Sequence, residues 1–314
     1  MKLYYFRDAV ANFGDELNPW LFSRLIPDLL DDDASELFLG IGSILFDNYP
    51  PRQRKIVFGS GYGGYRPPPI LDETWTTYFV RGPRTASALG IDRSYGLGDG
   101  ATLLRVLGDA LPARGPALGP VFMPHWESAL DGVWDRVAAE AGLGYVDPRW
   151  SVERVIGAIR SSSLVVAEAM HGAIVADALR VPWVPFLPLL EKHRPKWFDW
   201  AESLDLPIVF APSAPSSWNE WAVQRFRRDT FASRERPAQT PRPGARAVGT
   251  LSKARAYARK CNGLGGSLGR NWAVSALARA AASQPYLSRD SVISSITARM
   301  EEQLAALRRD VAKR

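Results

Sequence analysis

The chain predicts an α/β protein of two Rossmann-like halves facing a cleft, followed by a basic helical C-terminal extension, and three observations carry that expectation. Short apolar runs alternate with helical stretches, the pattern of parallel strands joined by crossover helices. A segment at Gly108–Pro120, containing Pro112, Gly115, Pro116, Gly119 and Pro120, separates two similar halves and reads as a linker. After about Trp221 the pattern changes, with Arg234–Gly249 rich in Pro, Arg and Gly and basic helical segments beyond it. The expected division is residues 1–112, residues 113–233 and a tail at 234–314.

In the first half the strand candidates are Leu3–Phe6, Leu37–Leu39, Ile56–Phe58 and Tyr78–Val80. Val121–Met123, Gly144–Val146, Leu164–Ala167 and Trp183–Phe186 follow in the second. Helical runs are expected at Leu17–Leu25, Ala101–Leu107 and Gly172–Leu179, with Asp15, Thr85 and Asp99 placed to cap helices. The last run, Ser295–Arg314, sets Ile296, Met300, Leu304, Leu307 and Val311 on one apolar seam, for the body or for another copy of the chain. Open parallel sheets bind ligands beyond the carboxyl ends of their strands, so the loops there are where chemistry is to be sought.

With 314 residues, 46% of them apolar and 23% charged, the chain can bury two cores. Cys261 is the only cysteine, which leaves no disulfide framework and no Cys-based zinc site. A charge at Arg7-Asp8 comes too soon for a signal-peptide apolar region, and no apolar run approaches the ~18 residues a membrane span needs. Those features fit a cytoplasmic protein. The net charge of +6 is uneven: from Arg234 onward there are 16 Lys/Arg and 5 Asp/Glu, against 23 and 28 before it. Nucleic-acid enzymes carry positive charge around the site with aromatics interleaved, so nucleic acid is not an expected partner.

Gly59-Ser60-Gly61-Tyr62-Gly63-Gly64 satisfies G-x-G-x-x-G after a strand, but Pro67-Pro68-Pro69 follows where a dinucleotide site needs a helix to open. A loop that lets backbone approach closely is the preferred reading. Gly40-Ile41-Gly42-Ser43 is a second such turn, able to present amides to an anion or merely to turn. Arg81-Gly82-Pro83-Arg84-Thr85 puts two arginines at the end of a strand, where guanidinium forks suit phosphate or carboxylate. Asp15 either caps a helix or meets a ligand hydroxyl, and Asp99 admits the same two readings. His171 follows the apolar strand Leu164–Ala167 and opens a helix, so it is either a general acid–base group or a buried structural histidine. His125 has a similar position after Val121–Met123. With three histidines, none within helical reach of another, a His-rich metal site is not expected.

These pieces, in this order, resemble the polysaccharide pyruvyltransferase family, especially the branch that decorates exopolysaccharides of the succinoglycan and xanthan kind. The matching stretches are Asn12–Leu17, Gly40–Ser43, Gly59–Gly61, Arg81–Thr85, Gly98–Asp99, Met123–His125, Glu168–Ala173 and Lys196–Trp200. The resemblance implies a fold like the GT-B glycosyltransferases, with phosphoenolpyruvate as co-substrate in the cleft and neither metal nor other cofactor. It implies His171 as acid or base, with His125 or Asp15 assisting. Arg81, Arg84, Lys196 and Arg194 become candidates for the donor's anionic groups, beside Gly42, Ser43 and Gly61. Asn12, Glu168, Trp197 and Asp199 are then candidates for the acceptor sugar. There is one departure. Many members have R-L-H where this chain has Ala169-Met170-His171, so an arginine is missing, and Lys196, Arg194 or Arg84 stands in for it or the donor is held differently.

The implied reaction forms a cyclic pyruvate ketal on a hexose and releases phosphate. The acceptor would be a lipid-linked repeat unit at the cytoplasmic membrane face. The basic tail would then either touch anionic lipid or pack on the acidic body, and the terminal seam could join two copies. Two rivals remain: a nucleotide-sugar glycosyltransferase of the same architecture, and a non-catalytic sugar-binding protein using tryptophans such as Trp75, Trp126, Trp150, Trp197, Trp200, Trp218 and Trp221.

Overall fold

The structure is a computed structural model that describes residues 1–7, 9–226 and 269–313. Two four-stranded sheets form its frame, and every strand pair is parallel. The first is built from β1 (Lys2–Tyr4), β2 (Glu36–Leu39), β3 (Arg54–Phe58) and β4 (Trp75–Phe79), in that spatial order. The second contains β5 (Leu118–Met123), β6 (Gly144–Tyr145), β7 (Ser162–Ala167) and β8 (Trp183–Pro185), in the order β6-β5-β7-β8. All eight strands fall where the apolar runs place them, within three residues at each end. The largest differences are at β4, which starts at Trp75, and β5, which starts at Leu118, each three residues early.

Helix α1 (Phe13–Leu25) begins four residues earlier than its apolar pattern suggests. Asn12 holds the N-cap position, so Asp15 lies inside the first turn rather than capping it, and Asn12 Nδ2 donates to Asp15 Oδ2 at 2.8 Å. Pro19 sits in this helix without an N–H for the carbonyl of Asp15. Asn18 supplies the missing donor: its Nδ2 reaches that carbonyl at 3.1 Å and the Ile41 carbonyl at 3.0 Å, while its Oδ1 accepts from Ile41 N–H at 2.7 Å. A proline kink in a buried helix is thus tied to the loop after β2. Downstream, α2 (Pro83–Ala88) has Gly82, not Thr85, at its N-cap, and Gly100–Ala110 winds as a 3-10 helix capped by Asp99.

The second half contributes α3 (Trp126–Asp131), α4 (Trp134–Glu140), α5 (Val152–Ser161) and α6 (Met170–Ala178), then α7 (Pro195–Ser203) and α8 (Trp218–Phe226). Helix α7 crosses back to pack on α2 of the first half. Trp134, Trp183, Trp197 and Trp200 are among the largest fully buried side chains, so these tryptophans are core rather than sugar platforms.

The end of the chain also returns to the body. Helix α9 (269–281) gives Ala273, Ala276, Leu277 and Ala280 to the core around β5, β7 and β8. Helix α10 (Asp290–Ala312) buries Ile293, Ile296, Met300, Leu304 and Leu307 against the first half and α6. At ~1.5–3 kcal/mol per buried aliphatic side chain, such a seam fastens the helix firmly. Tyr78 Oη donates to Asp310 and Arg308 to the Leu25 carbonyl along its flank. Of the two partners open to this seam, the body covers it. Arg234–Gly249 and Cys261 lie outside the described residues.

Candidate active site

The two sheets direct their strand ends toward one region, and α1 spans it. Phe13 N–H donates to the Pro148 carbonyl at 2.8 Å and Trp20 pairs with Glu153 of α5, so the start of α1 is fixed against the second half. Opposite lies His171, the second residue of α6. Gly14 makes room for its ring: a Cβ there would come within 2.0 Å of Nδ1. On the other side Nε2 faces Asp99 Oδ2 at 3.8 Å, and both atoms are buried with no hydrogen-bond partner among the described residues.

Asp15 and Lys196 complete this cluster. Burial pushes the Asp15 carboxyl up to about 6, while the Asn12 hydrogen bond and the nearby His171 and Lys196 pull the other way. Lys196, at the start of α7, is brought down to about 8 by burial and then by the Arg81 charge, with Asp15, Glu127 and Asp99 opposing. Among the described residues its ammonium has no hydrogen bond or ion pair. An unpaired, half-buried cation next to a carboxyl that titrates near neutrality is costly unless a ligand completes it.

A second cluster adjoins Lys196 through Glu127. His125 and His193 stack with ring centroids 4.5 Å apart, although 68 positions separate them in the chain. Glu127 Oε2 lies 3.3 Å from His193 Nε2 and 3.6 Å from His125 Nδ1. Tyr65 Oη shares a 2.9 Å hydrogen bond with His193 Nδ1. Behind them Glu168 is buried and accepts from His125 N–H, Ser128 Oγ and Leu189 N–H; desolvation raises it to about 7. Glu220, also lining this pocket, is raised to about 8 for the same reason. The ligand atoms of His125, Glu127 and His193 lie within 4.8 Å of one another, close enough to hold a cation. His125 and His193, beyond helical reach of each other in the chain, are thus brought together across two loops.

A third group is a frame. Arg81 is fully buried, and each guanidinium nitrogen is engaged: Nε to Asp199 Oδ2 at 3.0 Å, Nη1 to Ser43 Oγ at 2.6 Å and Nη2 to the Tyr62 carbonyl at 2.7 Å. Asp199 also accepts from Thr85 N–H at 2.9 Å and from its hydroxyl at 2.6 Å, so it caps α2 from α7. Arg81 and Asp199 bind each other across the halves instead of presenting their polar atoms to donor and acceptor. Gly61 backs the guanidinium, with no room for a Cβ, and gives its N–H to the Gly42 carbonyl. Gly42 turns at φ +116° beside Asp15. The glycine-rich loop therefore serves close packing, and no helix opens after it.

Three other candidates are not brought to the site. Arg84 is exposed and paired with Glu202 at 2.8 Å. Arg194 binds the Pro188 carbonyl and Glu191. Trp197 is buried among Trp183, Trp200 and Phe210. Conversely, the site includes Glu127, Tyr65 and His193, which the sequence leaves outside it, and Asp99, whose place before the helix at Ala101–Leu107 leaves it either a cap or a ligand group.

An α/β chain with this cluster between two parallel sheets has the makings of a group-transfer enzyme. Its relatives are specific: residues 4–188 match the family model for polysaccharide pyruvyl transferase. The chain is also 35% identical over 320 residues to the "Succinoglycan biosynthesis protein ExoV" of Rhizobium meliloti (strain 1021), covering 99% of each. This protein belongs to the polysaccharide pyruvyl transferase family. No helix among the described residues is long and apolar enough to cross a membrane.

Proposed function

We propose that the protein transfers pyruvyl from phosphoenolpyruvate to two hydroxyls of one hexose in an exopolysaccharide repeat unit, forming a cyclic ketal. The observation that supports this most is the convergence of Lys196, His171 and Asp15: a cation without a partner among the described residues, beside an imidazole and a carboxyl raised to about 6. That set suits an anionic enol ester which must be protonated. Of the three replacements for the missing arginine, Arg84 and Arg194 are occupied elsewhere, which favours Lys196 as the donor's anchor. The two sheets would work as GT-B halves, with the donor between them.

In this mechanism His171 protonates the donor's methylene carbon, the C=C π bond is consumed and positive charge develops at carbon two. A sugar hydroxyl attacks that carbon, and its proton restores His171. Phosphate then departs, the second hydroxyl closes the ring, and the second proton leaves with the phosphate by way of Asp15. One C–H and two C–O bonds form while the C=C π bond, the C–O bond to phosphate and two sugar O–H bonds break. His125, stacked on His193 and bound through its backbone to Glu168, would serve the acceptor in the adjoining pocket.

The acceptor is proposed to be lipid-linked at the cytoplasmic membrane face. Residues 227–268 carry ten Lys/Arg against two Asp/Glu, suited to anionic lipid; flotation that is no better with anionic than with neutral vesicles would remove this part. The central test is phosphate release from phosphoenolpyruvate with and without a panel of galactosyl, glucosyl and mannosyl acceptors. Acceptor-dependent release is expected, and His171→Ala should lower turnover about 10²–10⁴-fold with donor affinity nearly kept. No release and no calorimetric binding of phosphoenolpyruvate would overturn the reading in favour of a nucleotide-sugar transferase.

A further inference from the structure

We infer that Asp99 is a positioning residue for His171: its Oδ2 accepts the Nε2–H of the imidazole, fixes the tautomer and leaves Nδ1 as the reacting nitrogen. This rests on the proposed acid–base role of His171.

Two buried polar atoms without partners face each other here. Asp99 is fully buried, and its Oδ1 already accepts from Ala101 N–H at 3.0 Å as the cap of the 3-10 helix. Its Oδ2 has no hydrogen-bond partner, nor has His171 Nε2, and the two stand 3.8 Å apart. A buried carboxylate oxygen left unsatisfied is expensive, and so is a buried ring N–H. Each is the group able to satisfy the other, at a separation under an ångström longer than a hydrogen bond.

The charge balance gives the pairing a purpose. His171 lies in the first turn of α6, where the helix dipole opposes a positive imidazolium. The Asp99 carboxylate faces the ring in a site without bulk water to screen it, which favours an N–H directed at Oδ2. The two residues come from opposite halves, Asp99 from the N-cap of the 3-10 helix Gly100–Ala110 and His171 from the first turn of α6. The 3-10 helix and α6 that carry them pack closely against each other. Donor binding between the halves is therefore able to close the gap. On the far side of the ring Nδ1 lies against Gly14, next to Asp15. Asp99 has then two duties on separate oxygens: Oδ1 holds a helix and Oδ2 holds a histidine. The general pattern is an acid–base group oriented by a third residue.

The experiment uses the full chain labelled with ¹⁵N-histidine. It has three histidines, so His171 is assigned by comparison with His171→Ala. The expected wild-type spectrum shows His171 as the Nε2–H tautomer. Asp99→Asn keeps an oxygen for the cap but turns an amide toward the ring. It should shift the tautomer to Nδ1–H and reduce kcat about 10²-fold, with KM for phosphoenolpyruvate within about twofold. Thermal unfolding of the same variant checks that the cap survives. An unchanged tautomer and an unchanged pH profile in Asp99→Asn would overturn the inference and leave Asp99 as a cap alone. Should His171→Ala retain turnover, the acid–base reading fails by itself; the tautomer of His171 still decides the pairing, because it is measured without substrate.

Discussion

Arg81 and Lys196 are both cations between the same two halves, and they differ in one respect that separates frame from site. Arg81 has all three nitrogens engaged by Asp199, Ser43 and Tyr62, with no exposure to solvent. Lys196 is half-buried and has no partner among the described residues, and its neighbours Asp99 and His171 each keep a buried polar atom unsatisfied. Complete satisfaction rigidifies, and incomplete satisfaction leaves a position for a ligand. The frame lies directly behind the site, so the Arg81–Asp199 pair fixes where α7 starts and thereby where Lys196 points.

The largest expected effect breaks the frame. Asp199→Ala strands a fully buried guanidinium and uncaps α2, and should cost about 3–5 kcal/mol in urea unfolding. Arg81→Met combined with Asp199→Leu should recover much of that loss, because an apolar pair leaves no buried charge unpaired. A single substitution that costs under ~1 kcal/mol would mean that the pair is not the tie between the halves.

A smaller and different effect is expected at Lys196. Lys196→Met should leave stability near the wild type, since no hydrogen bond is lost, while raising KM for phosphoenolpyruvate about tenfold, as loss of a charged contact worth ~1.4 kcal/mol implies. The pH dependence follows from the lowered pKa. The ammonium is present below about 8 and lost above it, so kcat/KM for the donor falls as pH rises through about 8. Below about 6 Asp15 becomes protonated and kcat/KM falls again. The methionine variant should lack the alkaline limb and keep the acid one. An unchanged alkaline limb would assign it to another group.

Much of the architecture was legible in the chain because central parallel strands such as β2, β3 and β7, buried on both faces, read as short apolar runs. His171 was legible for the same reason: a residue following Leu164–Ala167 has to emerge at the sheet's end. What lay beyond reach was long-range pairing. His125 meets His193 only because the loop after β8 folds over the loop after β5, and nothing in Glu191–Trp197 announces it. Asp199 caps a helix 114 positions away, so its carboxylate read as a free ligand group. The seam of α10 was visible, but its owner was not, since an apolar stripe does not say whether a body or a second copy covers it.

The finest limit is within one motif, Arg81-Gly82-Pro83-Arg84, where two arginines of equal promise part company. Gly82 is the point of divergence: it caps α2 in so crowded a place that a Cβ would meet the Asp199 carbonyl at 2.0 Å, and Pro83 starts the helix. That turn sends Arg81 inward to Asp199 and Arg84 outward to Glu202, over the Phe198 ring. The smallest effect follows. Arg84→Ala removes an exposed ion pair of the kind that contributes ~0–1 kcal/mol, and its partner Glu202 keeps Arg93. Unfolding midpoint, donor KM and turnover are all expected to match the wild type. A rise in donor KM on Arg84→Ala, with Lys196→Met silent, would reverse the assignment and make Arg84 the stand-in for the arginine absent at Ala169.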